Sequence, residues 1–239
     1  MPDTTKIHAR VIVKIMGVFL IIIAFMMSLG LIFSYVYDEP DKLALILSSS
    51  ITFISGLAIF FINKKVDYHA INKRDGFVIV SSTWVVISLF GTLPFLLSGT
   101  IDNFTDAFFE TMSGFTTTGA TVLTDIESVS KGVLYWRSVT QWIGGMGVIV
   151  LALAIMPVLG IGGMQLFIAE VPGPTKDKLH PRIAETAKRL WGIYVLLTLV
   201  QALLLFAGGL NVFESVCHSF TTMATGGFST RNESVAAFS

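Results

Sequence analysis

Gly114-Phe115-Thr116-Thr117-Thr118-Gly119-Ala120-Thr121 returns in loose form as Thr221-Thr222-Met223-Ala224-Thr225-Gly226-Gly227-Phe228. Setting Gly119 on Gly226 gives an offset of 107 residues. The copies lie in uncharged stretches, 111–124 and 215–230, of 14 and 16 residues. Both stretches are rich in Thr, Ser and Gly, follow long apolar runs, and fall short of the ~20 residues a spanning helix needs. Each therefore reads as a re-entrant segment: a half-helix that enters the membrane and an extended strand that returns. Irregular backbone at membrane depth is tolerated only where it lines a cavity, so the pair points to an ion-conducting path.

Composition agrees with a membrane chain. Of 239 residues, 53% are hydrophobic and 13% charged, against roughly 25% charged in soluble domains. The formal net charge is zero, so nothing in the overall charge favours nucleic acid. A single cysteine, Cys217, excludes an intrachain disulfide and a cysteine metal cluster; its plain reading is a small apolar packing residue. The run 15–37 follows Lys6, Arg10 and Lys14, but its 23 residues exceed a signal-peptide core and no small-x-small site follows. It reads as a retained first helix.

Five uncharged stretches are long enough to span: 15–37, 43–63, 76–101, 138–169 and 190–213. With both short segments re-entrant, the loops alternate sides consistently. One side then holds 12 of the 16 Lys and Arg, in the N-terminus and the 64–75 and 170–189 loops, and the bias puts the N-terminus in the cytoplasm. The other side holds 10 of the 16 acidic residues, for a net charge of −6 against +6. A negative mouth concentrates cations, although any one of these charges is better explained as a solvated loop residue. Were 111–124 to cross instead, the basic 170–189 loop would move outside and the bias would collapse.

The offset also lays 76–101 on 183–208, so helix and loop shift together, as in transport paths built by internal duplication. The unit reads outer helix, half-helix, Thr/Gly strand, inner helix. A dehydrated cation needs oxygens in place of its water, which backbone carbonyls supply, and glycine supplies the positive φ that turns them inward. Gly119 and Gly226 are placed for that, and Thr117, Thr118, Ala224 and Thr225 offer the carbonyls. The half-helices, expected over 105–113 and 213–222, aim their partly negative C-terminal ends at the ion.

The segment Phe109-Glu110-Thr111-Met112-Ser113-Gly114-Phe115-Thr116-Thr117-Thr118-Gly119-Ala120-Thr121 resembles the first pore loop of the TrkH family, the membrane subunits of bacterial Trk potassium uptake systems within the TrkH/KtrB/HKT superfamily. Gln141-Trp142-Ile143-Gly144-Gly145-Met146-Gly147 resembles the following inner helix, and Cys217 to Thr222 with Thr225 to Thr230 resembles the second pore loop. The resemblance covers essentially the whole chain. It implies an all-α membrane protein, with an N-terminal helix pair (1–70), one complete membrane-pore-membrane repeat (71–170) and a second that stops after its pore loop (171–239). It implies potassium uptake across the bacterial inner membrane through a filter that includes Thr117, Thr118, Gly119, Ala224, Thr225 and Gly226. Potassium is then the substrate, held by carbonyls of Thr117, Thr118, Ala224 and Thr225, and no cofactor is involved. It further implies a homodimer of full-length subunits and a cytoplasmic nucleotide-binding partner of the TrkA type. Gly119, where serine accompanies sodium permeation in the family, favours potassium. Family members carry four repeats and this sequence two filter loops, so these 239 residues alone are not expected to transport potassium selectively.

Other features have plainer readings beside functional ones. Gly144, Gly145 and Gly147 lack nucleotide-loop spacing and read as close helix packing. Pro157 with Gly160, Gly162 and Gly163 reads as a hinge or a helix end. Trp136 and Arg137 read as interface anchors at the outer start of the inner helix. Glu110, an ionisable group at depth, reads as orienting its loop by accepting backbone hydrogen bonds. His218 has no ligands at metal spacing, and the 170–189 loop could meet a partner or anionic lipid. A membrane enzyme would need convergent nucleophiles or acids inside its spans, and here, apart from Lys14, the charges lie outside them. A secondary cation transporter of another fold and a regulatory stub pairing with full-length subunits remain the alternatives.

Overall fold

The structure, a computed structural model, describes residues 9–63, 73–155 and 179–238. The basic residues Lys6, Lys64, Lys65, Lys176 and Lys178 and the hinge candidate at Pro157 to Gly163 lie outside the described residues. In chain order the helices are α1 (Ala9–Val36), α2 (Lys42–Ile62), α3 (Lys73–Gly91), α4 (Leu93–Leu97), α5 (Phe104–Phe115), α6 (Lys131–Ile155), α7 (Leu179–Ala207) and α8 (Val212–Met223). A short 3₁₀ turn, Ser234–Phe238, follows. Among the described residues no β-sheet forms, and the strands that return from α5 and α8 are irregular backbone with no strand partner.

Four segments are long and apolar enough to cross a bilayer: Ala9–Val36, Lys42–Ile62, Asp75–Leu97 and Thr186–Ala207. Their outward faces expose large apolar side chains, such as Phe25, Ile54, Leu196, Leu203 and Phe206, which suits lipid and not water. This is a multi-pass membrane protein. The expected single helix over 76–101 is two pieces, because Pro94 supplies no N–H and the chain breaks between Gly91 and Leu93. The inner helix starts at Lys131, seven residues before its expected boundary at 138, and α7 starts at Leu179, eleven before 190. In both, charged residues taken as the end of a span lie inside the helix.

Lipid is as apolar as leucine, so burial alone does not hold such helices together; close packing and polar contacts do. α1 and α2 meet at Gly17 and Gly56, where a β-carbon on either would fall about 3 Å from the other's carbonyl oxygen. The pair then docks on α6 through Asp41. Its buried carboxylate accepts from Ser34 on α1, from Ser130 Oγ at 2.8 Å and from the Val133 N–H at 3.0 Å. Asp41 thus caps α6 from another helix, placing negative charge on its N-terminus. α6 is the hub: it contacts α1, α5, α7 and α8.

Candidate functional site: two short helices and the loops they present

α5 and α8 have 12 residues each, about 18 Å of helix against a core of about 30 Å. They start and end alike. Asn103 caps α5 through the Thr105 N–H at 2.9 Å, and Asn211 caps α8 through the Glu214 N–H at 2.8 Å. Each carries an acid in its first turn, Asp106 and Glu214. At the C-terminus of α5, the Thr117 N–H donates to Gly114 O and the Thr118 N–H to Ser113 O, both at 2.9 Å. At that of α8, Thr225 donates to Thr222 O and Gly226 to Thr221 O, again at 2.9 Å. These are Schellman closures, which demand a left-handed residue. Threonine fills it in both copies, with φ of 55° at Thr117 and at Thr225. A β-branched side chain there is strained, and the same strain at matched positions marks a conformation held by its surroundings. Two residues on, Gly119 and Gly227 have φ of 77° and 82°.

These matches correct the register. Caps, first-turn acids, closures and positive φ all repeat at 108 residues, so the counterpart of Gly119 is Gly227 and that of Thr118 is Gly226. The offset of 107 took the first glycine of a Gly-Gly pair where the backbone uses the second. Ala224 is the helix cap of α8, buried against α6, matching Thr116.

The structure brings the two loops together. The Gly226 carbonyl oxygen occupies the space a β-carbon on Gly119 would need, with the carbonyl carbon 3.2 Å from that position. Thr118, Thr225 and Gly227 face open space, Thr117 and Gly119 are half-buried, and Gly226 is buried.

α6 supports both loops. A β-carbon on Gly144 would strike the Phe115 backbone at the end of α5, and one on Gly145 would lie 2.9 Å from Ala224 Cα at the end of α8. The packing reading of these glycines is what the structure has. Gln141, fully buried, accepts the Phe228 N–H on Oε1 at 3.1 Å, while its Nε2 has no acceptor among the described residues. Trp136 and Arg137 are not interface anchors. Trp136 is fully buried and donates to Gly91 O at 2.9 Å. Arg137, 2% exposed, pairs with Glu110, 0% exposed, at 2.6 Å. Glu110 also accepts from Thr121 Oγ1 and from the Val122 N–H, both at 2.9 Å, so it does orient the returning strand of its loop. From sequence alone Arg137 has only an anchoring role and Gln141 none of its own. The available signal was an acid in one short helix and a lone base in the apolar run of the next.

Beyond the filter segments the exits of the two loops meet. Asn232 accepts the Ile126 N–H at 2.7 Å and donates to Asp125 at 3.0 Å, which holds that carboxyl below its ordinary range. His218 sits where α5 has Glu110 and lies 3.2 Å from Thr230 Oγ1; no cluster of metal-ligating side chains occurs among the described residues. Cys217 is free and buried. Each of the four basic residues near this end has a carboxylate partner: Lys42 with Asp38, Lys131 with Glu39, Arg137 with Glu110, and Arg231 with Glu214. An open cleft of about 500 Å³ beside the first loop is lined by Glu39, Asp41, Asp106 and Asp125 among others, so the surplus charge at this end is negative.

Comparison with known proteins fits this geometry. The TrkH family model, described as "Cation transport protein", matches residues 46–239. The chain belongs to the TrkH family. Trk system potassium uptake protein TrkH of Escherichia coli (strain K12) is 44% identical over 233 residues, covering 97% of this chain and 48% of that protein. The corresponding protein of Halomonas elongata is 44% identical over 231 residues. The crystal structure of the potassium transporter TrkH from Vibrio parahaemolyticus superposes with a TM-score of 0.82 at 39% identity, over 95% of this chain and 45% of that one. The chain spans about half the length of the curated relatives it matches.

Proposed function

We propose that the chain forms part of a potassium path through a bacterial inner membrane, as two of the filter loops of a Trk-type uptake subunit. The observation that carries this is the apposition of two loops in one strained backbone conformation, Gly226 O against Gly119. Potassium is the substrate, held by backbone carbonyls of Thr117 and Thr118 in the first loop and of their counterparts at the offset of 108, Thr225 and Gly226, in the second; Ala224, expected to offer a carbonyl, is the helix cap that precedes them. The C-terminal ends of α5 and α8 favour a cation there, and the acidic end of the molecule raises its local concentration. Support for the substrate comes from the relatives, which are named potassium uptake proteins. Both loops enter from the outer side, and the charge bias puts the N-terminus in the cytoplasm. The division at about residues 70 and 170 into a helix pair and two repeats belongs to the same reading, as do a homodimer and a cytoplasmic nucleotide-binding partner of the TrkA type.

The test is a chimera of residues 1–239 joined to the C-terminal half of the E. coli relative, expressed in a strain lacking potassium uptake. Growth at low potassium and rubidium influx are expected from the chimera and not from residues 1–239 alone. A chimera that reaches the membrane at the relative's own level yet carries no rubidium overturns the reading. Full rescue by residues 1–239 alone overturns the need for further loops.

A further inference from the structure

Arg137 reaches beyond its carboxylate. Its Nε donates to Glu110, its Nη1 donates to the Ser229 carbonyl at 3.0 Å, and its guanidinium carbon lies 3.6 Å from the centre of the Phe228 ring. Glu110 in turn holds Thr121 and Val122 on the first returning strand. Phe228 and Ser229 directly follow Gly227, and Thr121 and Val122 follow Gly119 by two and three residues. One buried ion pair therefore ties the exit of the first loop to the exit of the second. One helical turn on, Gln141 holds the Phe228 N–H from the same face of α6.

A buried ion pair is weak ground for stability, since well-packed apolar residues often do as well. What apolar residues cannot do is grip three groups at fixed angles, here one carboxylate on α5 and a ring and a carbonyl on the second strand. Arginine can, because its planar fork donates in two directions while its face stacks on a ring; lysine, a point charge on a flexible stem, cannot. Carbonyl sites discriminate cations by cavity size and by the number and field of the oxygens, and both depend on how far apart the strands stand.

We propose that Arg137, held by Glu110, is a positioning residue that sets the spacing of the two Thr/Gly strands and with it the choice between potassium and sodium. This rests on reading those strands as the ion path. The test measures rubidium influx in the chimera described above, with sodium or potassium as competitor, for the parent, R137K and E110D. Both variants keep the charge; the first loses the fork and the second shortens the reach. Discrimination is expected to fall about tenfold in R137K, the scale of one charge-assisted hydrogen bond, and less in E110D, with membrane levels within about twofold of the parent. If R137K does not reach the membrane, E110D gives the same reading. Variants that lose maximal rate or protein level but keep the parent's potassium-to-sodium ratio overturn the clamp alone. A parent that carries no rubidium overturns the functional reading and the clamp with it.

Discussion

Gly144→Ala is the sharpest test of the way α6 carries the first loop. The added β-carbon would fall on the Phe115 carbonyl oxygen, 2.8 Å from the carbonyl carbon and 3.1 Å from Cα. Ordinary contact begins near 3.4 Å, so the end of α5 must retreat by about 0.6 Å at the carbonyl carbon and further at the oxygen. No rotamer can absorb this, because all three atoms are backbone. Overpacking of this kind costs about 1–3 kcal/mol, while alanine in place of a helical glycine returns about 1 kcal/mol. Gly192→Ala separates the two effects, since a β-carbon there meets nothing within 4 Å. Both variants gain the same propensity, so their difference is the clash alone. Thermal unfolding of the purified protein in detergent should place Gly144→Ala several degrees below Gly192→Ala, at roughly 2–4 °C per kcal/mol for a chain of this size. Gly147→Ala, which meets only the edge of the Trp84 ring at 3.1 Å, should fall between them. If Gly144→Ala and Gly192→Ala melt together, α6 does not press on the first loop as described.

Other substitutions test the remaining contacts. Thr225→Gly releases a left-handed threonine, worth about 1–2 kcal/mol, and returns part of it in chain entropy; the melting temperature should hold or rise while rubidium influx in the chimera falls. Asn211→Ala removes both the cap on the Glu214 N–H and the contact with its carboxylate, and should cost about 1 kcal/mol by the same melt. Asn232→Ala unties the loop exits and should free Asp125 to titrate higher. Because that carboxyl is depressed in the folded chain, its contribution is present above the unfolded pKa and is lost as pH falls through the folded value. The wild type should therefore outlast Asn232→Ala at neutral pH and lose the part of that advantage carried by Asp125 below about pH 4, keeping the part carried by the Ile126 N–H. Cys217, 1% exposed, should resist maleimide in the folded protein and react on denaturation, as seen by mass shift; rapid labelling without denaturant would contradict its packing.

The fold was legible wherever it depends on run length. Uncharged runs longer than a bilayer is thick read as spans and shorter Thr/Gly-rich ones do not, so four of the five expected spans and both short helices follow from counting, while the run 138–169 is described only as far as Ile155. Boundaries were misjudged where a charge was taken for an interface. Arg137 reads as the edge of a span because arginine at depth is costly. It is in fact six residues inside α6, its cost offset by Glu110, which lies 27 positions away and is recognisable only once α5 and α6 are packed together. Gln141 was illegible for a related reason: its role depends on a strand 87 residues on.

The one-residue slip between the loops has a physical cause that the sequence also contains. Aligning on the glycines weighs the letters that look functional, whereas the backbone is set by the helix that precedes them. Asn103 with Asp106 and Asn211 with Glu214 repeat at 108 and fix where each half-helix begins. The helix-ending glycines before them, Gly99 and Gly209, have positive φ and repeat at 110, because the first copy has two more residues between that turn and its cap. The duplicated unit is thus not a constant shift but two rigid pieces joined by linkers of unequal length. With the caps in register, Gly227 holds the left-handed position of Gly119, and Gly226 has a different reason to be glycine. A β-carbon there would lie 2.6 Å from Gln141 Nε2. In the first copy the same position, Thr118, is exposed and carries a full side chain. The second loop needs two glycines where the first needs one because the helix of the first repeat presses its glutamine into it.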